Sequence, residues 1–310
     1  MSQPERSVRS SEVPARGDRA HGPAAAATRY RLMMTLVLDI VTTAAILFIV
    51  AAGLLIVFGV MKIVNFAHAS FITVGAYAAL VSSRFGLPPV LAPVAAFLAG
   101  GLMGAMTERI VVRRLYRRPL DAILATWGLG IVIGQLVTLA FGREVQFVPA
   151  PVSGTLALFG VDYSLYRLLL VPTALVIAGL FAGLLNGTRL GLSTRAVIMN
   201  ENLAQGLGID SSRVRLITFG IGCGLAAVAG ALITPLASVD PDMGLAWLIG
   251  AFMLVMVSGG SLLTLGFSCF VLGGLQVLAS TFISPILGGL TIAVLAALAL
   301  RLRPQGFARA

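Results

Sequence analysis

Residues Met33–Val60 read MMTLVLDIVTTAAILFIVAAGLLIVFGV, an apolar run in which Asp39 is the one charged side chain. As an α-helix rising 1.5 Å per residue it would be about 42 Å long, more than the ~30 Å hydrocarbon core of a bilayer. A helix apolar on every face is at home in a protein core or in lipid, and not at a water-facing surface. Eight more apolar runs follow, at about Ala69–Val81, Val90–Met106, Ala122–Phe141, Leu168–Leu185, Leu216–Leu236, Leu245–Val257, Leu265–Ile283 and Ile286–Leu300. In hydrocarbon each backbone N–H and C=O must be bonded within its own segment, so each run predicts a helix. The fold expected is an all-α polytopic membrane protein, a bundle of about eight or nine transmembrane helices.

Composition agrees, because 58% hydrophobic against 11% charged residues excludes an ordinary water-soluble domain. The net charge of +10 does not point to nucleic acid, since most arginines sit in short clusters between apolar runs. Cys223 and Cys269 fall inside such runs without metal-ligand spacing and read as small buried hydrophobes. Small residues four apart, Gly100 with Gly104, Gly130 with Gly134, Gly220 with Gly224 and Ala226 with Gly230, predict closely approaching helix backbones.

Three organisational units emerge. Residues 1–32, with Arg6, Arg9, Arg16, Arg19, Arg29 and Arg31 among Ser, Pro, Ala and Gly, predict a disordered basic cytoplasmic tail. Residues 33–302 form the membrane domain, and 303–310 a short cytoplasmic C-terminal tail. Arg109 to Arg118, Arg189 to Arg215 and the end of the chain are rich in base and are expected inside, whereas Gly142–Tyr166 and the loop with Asp240 and Asp242 are expected outside. With both termini cytoplasmic, an even number of crossings must precede Arg109, yet three apolar runs are present. A broken or re-entrant segment between Gly53 and Tyr77, interrupted at Lys62-Ile63-Val64-Asn65-Phe66-Ala67-His68, reconciles the two.

Chemistry for an enzyme is missing, since the runs hold almost no paired titratable groups. Lys62, the single lysine, is not in a phosphate-cradling loop, so nucleotide hydrolysis is expected on another polypeptide. Asp39 suits an interfacial or interhelical structural role, with a part in transport as the alternative. Asn65, His68, Ser70 and Thr73 place donors and acceptors on an otherwise apolar stretch and are candidates to line a pathway. Gly259 and Gly260, in the interruption Ser258–Ser261, are either a second pathway break or a tight turn. The polar segment 187–213 carries Ala196, Met199, Leu203 and Leu207 three or four apart, one apolar face on a short helix that Gly208 would end. With Arg195 its only base, that face suits a protein groove better than a lipid surface.

At these residues the chain resembles the branched-chain amino acid ABC permeases of LivH type and their urea and short-chain amide relatives. The resemblance is carried by Gly53–Tyr77 with Asn65-Phe66-Ala67-His68, by Glu108-Arg109 with Arg118-Pro119-Leu120, by Leu124-Ala125-Thr126-Trp127-Gly128, by Gly191–Ile209 and by Arg303-Pro304-Gln305-Gly306. Ala69 stands where such proteins usually have Gly, Ile198-Met199-Asn200 replaces Ala-Gln-Asn, and Leu262 and Leu263 replace Gly-Ser. The resemblance implies a permease subunit of the bacterial inner membrane that moves branched-chain or hydrophobic amino acids, with urea or short amides as the alternative. It implies a second permease subunit, two cytoplasmic ATPase subunits holding ATP and Mg, and a periplasmic solute-binding protein, with no cofactor or metal on this chain. Arg195, Ala196, Met199, Asn200, Leu203, Leu207 and Gly208 would then be the ATPase-coupling segment. An ion-coupled secondary transporter or channel is the rival class, with Asp39 and His68 its candidate titratable groups.

Overall fold

Each of the nine apolar runs coincides with a helix in the computed structural model, which describes residues 23–303 and Gly306. In chain order these are α1 (Pro23–Met61), α2 (His68–Arg84), α3 (Leu91–Ile110), α4 (Pro119–Phe141), α5 (Leu165–Gly187), two short helices α6 (Arg189–Met199) and α7 (Glu201–Gly206), then α8 (Ser211–Ile233), α9 (Leu245–Ser258), α10 (Leu262–Phe282) and α11 (Pro285–Leu302). Seven of them are long and apolar enough to cross a bilayer; α2 and α9 fall short. One element had no sequence signal: β1 (Thr155–Leu158) and β2 (Val161–Ser164) form an antiparallel hairpin before α5. Its turn residues, Phe159 and Gly160, both have positive φ, the conformation a tight two-residue hairpin demands.

The first helix takes in the last ten residues of the expected tail, 23–32. Pro at the first helical position loses no intrahelical bond, and the run of alanines that follows has the highest helix propensity. Most of the proposed tail, residues 1–22, lies outside the described residues, as do parts of 303–310.

Side-chain contacts fix which ends of the helices lie together. Asp39, in α1, accepts hydrogen bonds from Tyr163 of the hairpin (2.8 Å) and Arg167 (3.4 Å), and Thr42 bonds the same Tyr163 hydroxyl at 2.8 Å. This is the interhelical structural role expected for Asp39. Val60, near the end of α1, packs with Val197 of α6, Ala204 of α7 and Val214 of α8. So α1 begins at the hairpin end and finishes at the α6–α8 end, where Gly306 also rests against Met256 and Val257. The break at Lys62 (φ +52) lies at the finish of α1, and α2 and α3 follow in alternating directions. This differs from the topology expected from the arginines: the start of α1 and the basic turn after α3 stand at opposite ends of the bundle.

α8 is the hub, packed on α1, α2 and α3. Glycine makes this possible: a methyl on Gly222 would lie 2.7 Å from the Gly53 carbonyl oxygen, so α1 and α8 cross backbone to backbone. Around that crossing the chain forms two inverted halves. α3 lies along α8 through Gly100 and Gly104, as α10 lies along α1 through Gly273 and Gly274. Short α2 in one half corresponds to short α9 in the other. Cys223 and Cys269 are both buried, and Cys223 fills the space left by Gly104.

Candidate functional site

The two short helices begin beside each other in the middle of the bundle. His68 at the head of α2 reaches the Val50 carbonyl of α1 (3.3 Å), three turns above the end of that helix. Gly244, which precedes α9, donates its N–H to Thr73 (3.2 Å) and lies against the Ala69 carbonyl. From this meeting point α2 runs to the hairpin end, where Arg84 bonds Gln146 at 3.1 Å, and α9 runs to the other end, passing Phe58 with Phe252. Neither has a side-chain cap at its start. Two helix N-termini, each with partial positive charge, therefore converge at mid-depth.

A cavity of about 390 Å³ opens there between α2, α4 and α9. Its polar groups are Ser70, Thr73, Gln135 and Asp242, and Trp127, Ile131 and Leu248 belong to its apolar wall. Ser70 donates to the Gly130 carbonyl (3.1 Å), which pins α2 to α4, and Gly130 and Gly134 leave room along the α4 face. Among the described residues Asp242 is the only charged one in the lining. The site thus offers one carboxylate, an amide, two hydroxyls and two helix N-termini in apolar surroundings.

Of the expected pathway residues, Ser70 and Thr73 line this cavity and four others do not. Asn65 is buried and turns its Oδ1 to the Ala67 N–H (3.1 Å), shaping the bend into α2. His68 is fully buried against α1. Gly259 and Gly260, with φ of +63° and +89°, form the left-handed turn between α9 and α10, at the far end of α9 from the cavity. The break that pairs with residues 62–67 is instead 234–244, the irregular stretch leading into α9.

At the other end, the segment expected to be one short helix is two. Asn200 is extended (φ −157°, ψ 103°), ends α6 and caps α7 by accepting the Leu203 N–H at 3.1 Å. Gly208, with φ +85°, turns the chain toward α8. Val197 and Ala204 face inward, and half-buried Ala196 packs beside them. Met199 (86% exposed), Leu203 (63%) and Leu207 (74%) point away from the bundle, and Arg195 bonds Asn186 at 3.1 Å. Large apolar side chains exposed in so polar a segment are of the kind that marks an interaction site.

A polar chain runs from this surface into the bundle. Glu201, the first residue of α7, pairs with Arg215 of α8. The Arg215 guanidinium lies 4.2 Å over the ring of Tyr116, and Tyr116 donates to fully buried Glu108 at the end of α3. Burial, and then the bond to Glu108, push the Tyr116 phenol well above its ordinary range. Tyr116 sits on the turn leading into α4, the helix that lines the cavity, so α7 and the cavity wall share one set of contacts.

Across residues 36–302 the sequence matches the family described as branched-chain amino acid transport system / permease component. The chain belongs to that family. Among its relatives, a probable branched-chain amino acid transport permease protein, LivH, of Methanocaldococcus jannaschii is 30% identical over 227 residues, 69% of this chain and 70% of that one. The high-affinity branched-chain amino acid transport system permease protein BraD of Pseudomonas aeruginosa is 29% identical over 228 residues, covering 68% and 74%. The galactofuranose transporter permease YtfT of Escherichia coli is 29% identical over 233 residues, covering 73% and 64%. This member of the family is accordingly a transport permease component, and the names of its relatives differ in solute.

Sequence reasoning missed Gln135 and Asp242. Gln135 is the one amide within the fourth apolar run, a polar interruption that composition alone makes conspicuous. Asp242 reads as half of an acidic outer loop, because the dip of 234–244 toward Thr73 depends on tertiary contacts.

Proposed function

We propose that this chain is the membrane-spanning subunit of an ATP-driven importer for branched-chain or other apolar amino acids. One observation supports this reading above the rest: the first turns of two helices and the Asp242 carboxylate line one apolar cavity. A solute carboxylate is stabilised at helix N-termini, an ammonium is stabilised by Asp242, and Ile131, Leu245, Leu248 and Ile249 offer an aliphatic side chain its contacts. A zwitterion with an apolar tail uses all three features, whereas urea or a short amide leaves the carboxylate unpaired. The names of LivH and BraD agree with this solute.

Met199, Leu203 and Leu207 dock one of two cytoplasmic ATPase subunits, which hold ATP and Mg. A second permease subunit closes the open side of the cavity, and a periplasmic solute-binding protein delivers the solute. In a bacterial inner membrane, the α6–α8 end and the C-terminus face the cytoplasm, and the start of α1 faces the other way. Transport alternates between states in which the two inverted halves open to one side or the other.

The test is leucine uptake into proteoliposomes holding the full complex. Asp242→Asn is expected to raise the KM for leucine at least ten-fold with assembly intact, and Leu203→Asp to abolish ATPase association without affecting membrane insertion. Uptake that persists without the ATPases and collapses with the proton gradient would overturn the reading. Unchanged uptake with Asp242→Asn, or preferential uptake of urea, would overturn the assigned solute.

A further inference from the structure

The two inverted halves differ at one place. α10 and α11 pack along each other, with Gly288 set against Ser280, whereas α3 and α4 diverge from the turn that joins them and hardly touch. Between α3 and α4 lies an apolar groove of about 460 Å³, walled by Ala99, Leu102, Met106 and Ile110 on one side and Leu129 and Leu136 on the other. From Ala99 to Ile110 it runs about 16 Å at 1.5 Å per residue. That is close to one leaflet, half of the ~30 Å core, and too short for a partner helix crossing the whole bilayer.

The groove ends at Ile110 and Val111, where the chain enters the basic turn. Arg109, Arg113, Arg114 and Arg117 are all exposed there, and among the described residues none has an acidic partner. The acids close by are committed elsewhere, Glu108 to Tyr116 and Asp121 to Arg118. A half-depth apolar channel that ends under four uncompensated guanidinium groups has the form of one molecule class. We propose that an anionic phospholipid occupies it, with an acyl chain between α3 and α4 and its phosphate on the arginines of the turn. Lipid here takes the place that direct helix packing takes in the other half, and it holds α4 at a fixed distance from α3.

Native mass spectrometry of the full-length protein, exchanged into mixed phosphatidylglycerol and phosphatidylcholine and then stripped with mild detergent, tests this. Phosphatidylglycerol should be retained at least five-fold over phosphatidylcholine and should raise the thermal midpoint, while inorganic phosphate at equal concentration should not. The double variant Arg113→Gln/Arg114→Gln, which leaves the groove untouched, should lose that preference. Ala99→Leu, which adds bulk at the groove, should reduce retention of both lipids. Equal retention of the two lipids, an unchanged preference in the arginine variant, or a cross-link from Met106→Cys to a second permease subunit in the assembled complex would overturn it.

Discussion

Replacing Tyr116 by Phe removes one hydroxyl and no other atom, at a point where the surroundings set the cost. Glu108 is 0% exposed; its Oε1 accepts the hydrogen bond of the Tyr116 hydroxyl, and among the described residues its Oε2 has no partner. Tyr116→Phe leaves a buried carboxylate with neither oxygen bonded. A hydrogen bond to a charged group contributes about 1.5–3 kcal/mol, and a stranded buried charge costs at most ~3–5 kcal/mol. The expected loss is therefore roughly 2–3 kcal/mol. Thermal unfolding in detergent, followed by tryptophan fluorescence, should show a midpoint several degrees lower. Glu108→Gln keeps an acceptor for the hydroxyl and should cost less, and Tyr116→Phe in a Glu108→Leu background should cost little, since no charge remains to strand. A double-mutant cycle gives the coupling directly. Coupling below about 0.5 kcal/mol, within the scatter of additive distant sites, would refute the reasoning. Alkaline pH supplies a second check. Because the folded-state pKa of Tyr116 is raised above 10, its stabilising contribution is complete below pH 10 and is lost as pH rises beyond 10 toward the folded value. Tyr116→Phe should flatten that alkaline decline, with Tyr163, also raised chiefly by burial, among the groups that contribute to what remains.

Gly75→Leu should destabilise by more than the ~1–3 kcal/mol of ordinary overpacking, because the obstacle is the Ala227 backbone and not a side chain that can turn aside; normal accumulation and melting would contradict the close approach of α2 to α8. Asp39→Asn removes the charge that Arg167 meets at 3.4 Å but keeps an acceptor for Tyr163, so a loss under about 1 kcal/mol is expected, shrinking further in high salt. Asn200→Ala deletes the cap of α7 and should cost about 1 kcal/mol locally, read as faster amide exchange across 201–206 and not at α8. Single cysteines at Arg31 and Leu203 should react with an impermeant maleimide from opposite faces of oriented vesicles; labelling from one face would show that α1 does not cross once.

The nine helices were legible because hydrocarbon leaves a backbone no alternative, and nine apolar runs became nine helices. What the runs do not encode is depth. Lys62 to His68 reads as a break, but only the reach of His68 to Val50 places the start of α2 at mid-bundle. The same gap misassigned the partner break: Gly259 and Gly260 carry the stronger local signal, while Thr234–Gly244, apolar enough to pass for an end of α8 and a loop, dips because Thr73 holds Gly244. Apolar spacing picks out Met199, Leu203 and Leu207, all of them exposed, yet a periodicity count runs straight through Asn200, whose side chain caps a second helix. Ser70 and Thr73 were within reach as hydroxyls on an apolar stretch, whereas Asp242 and Gln135 join them only when α9 and α4 are brought to α2. The arginine count failed for α1 because a charge rule weighs loops and says nothing of a salt bridge such as that between Asp39 and Arg167.

Where α2 and α8 cross, a methyl on Gly75 would lie 1.8 Å from the Ala227 carbonyl oxygen and one on Gly230 1.9 Å from the Ile72 carbonyl oxygen, so main chain faces main chain. Interdigitated side chains lock one helix to the next, and a rotation must unseat several rotamers together. Two main chains in direct contact have fewer rotamers to unseat and behave as a bearing: one rod can tilt or roll over the other at that spot. The hub of the bundle is then also a place where angular play between the halves costs little.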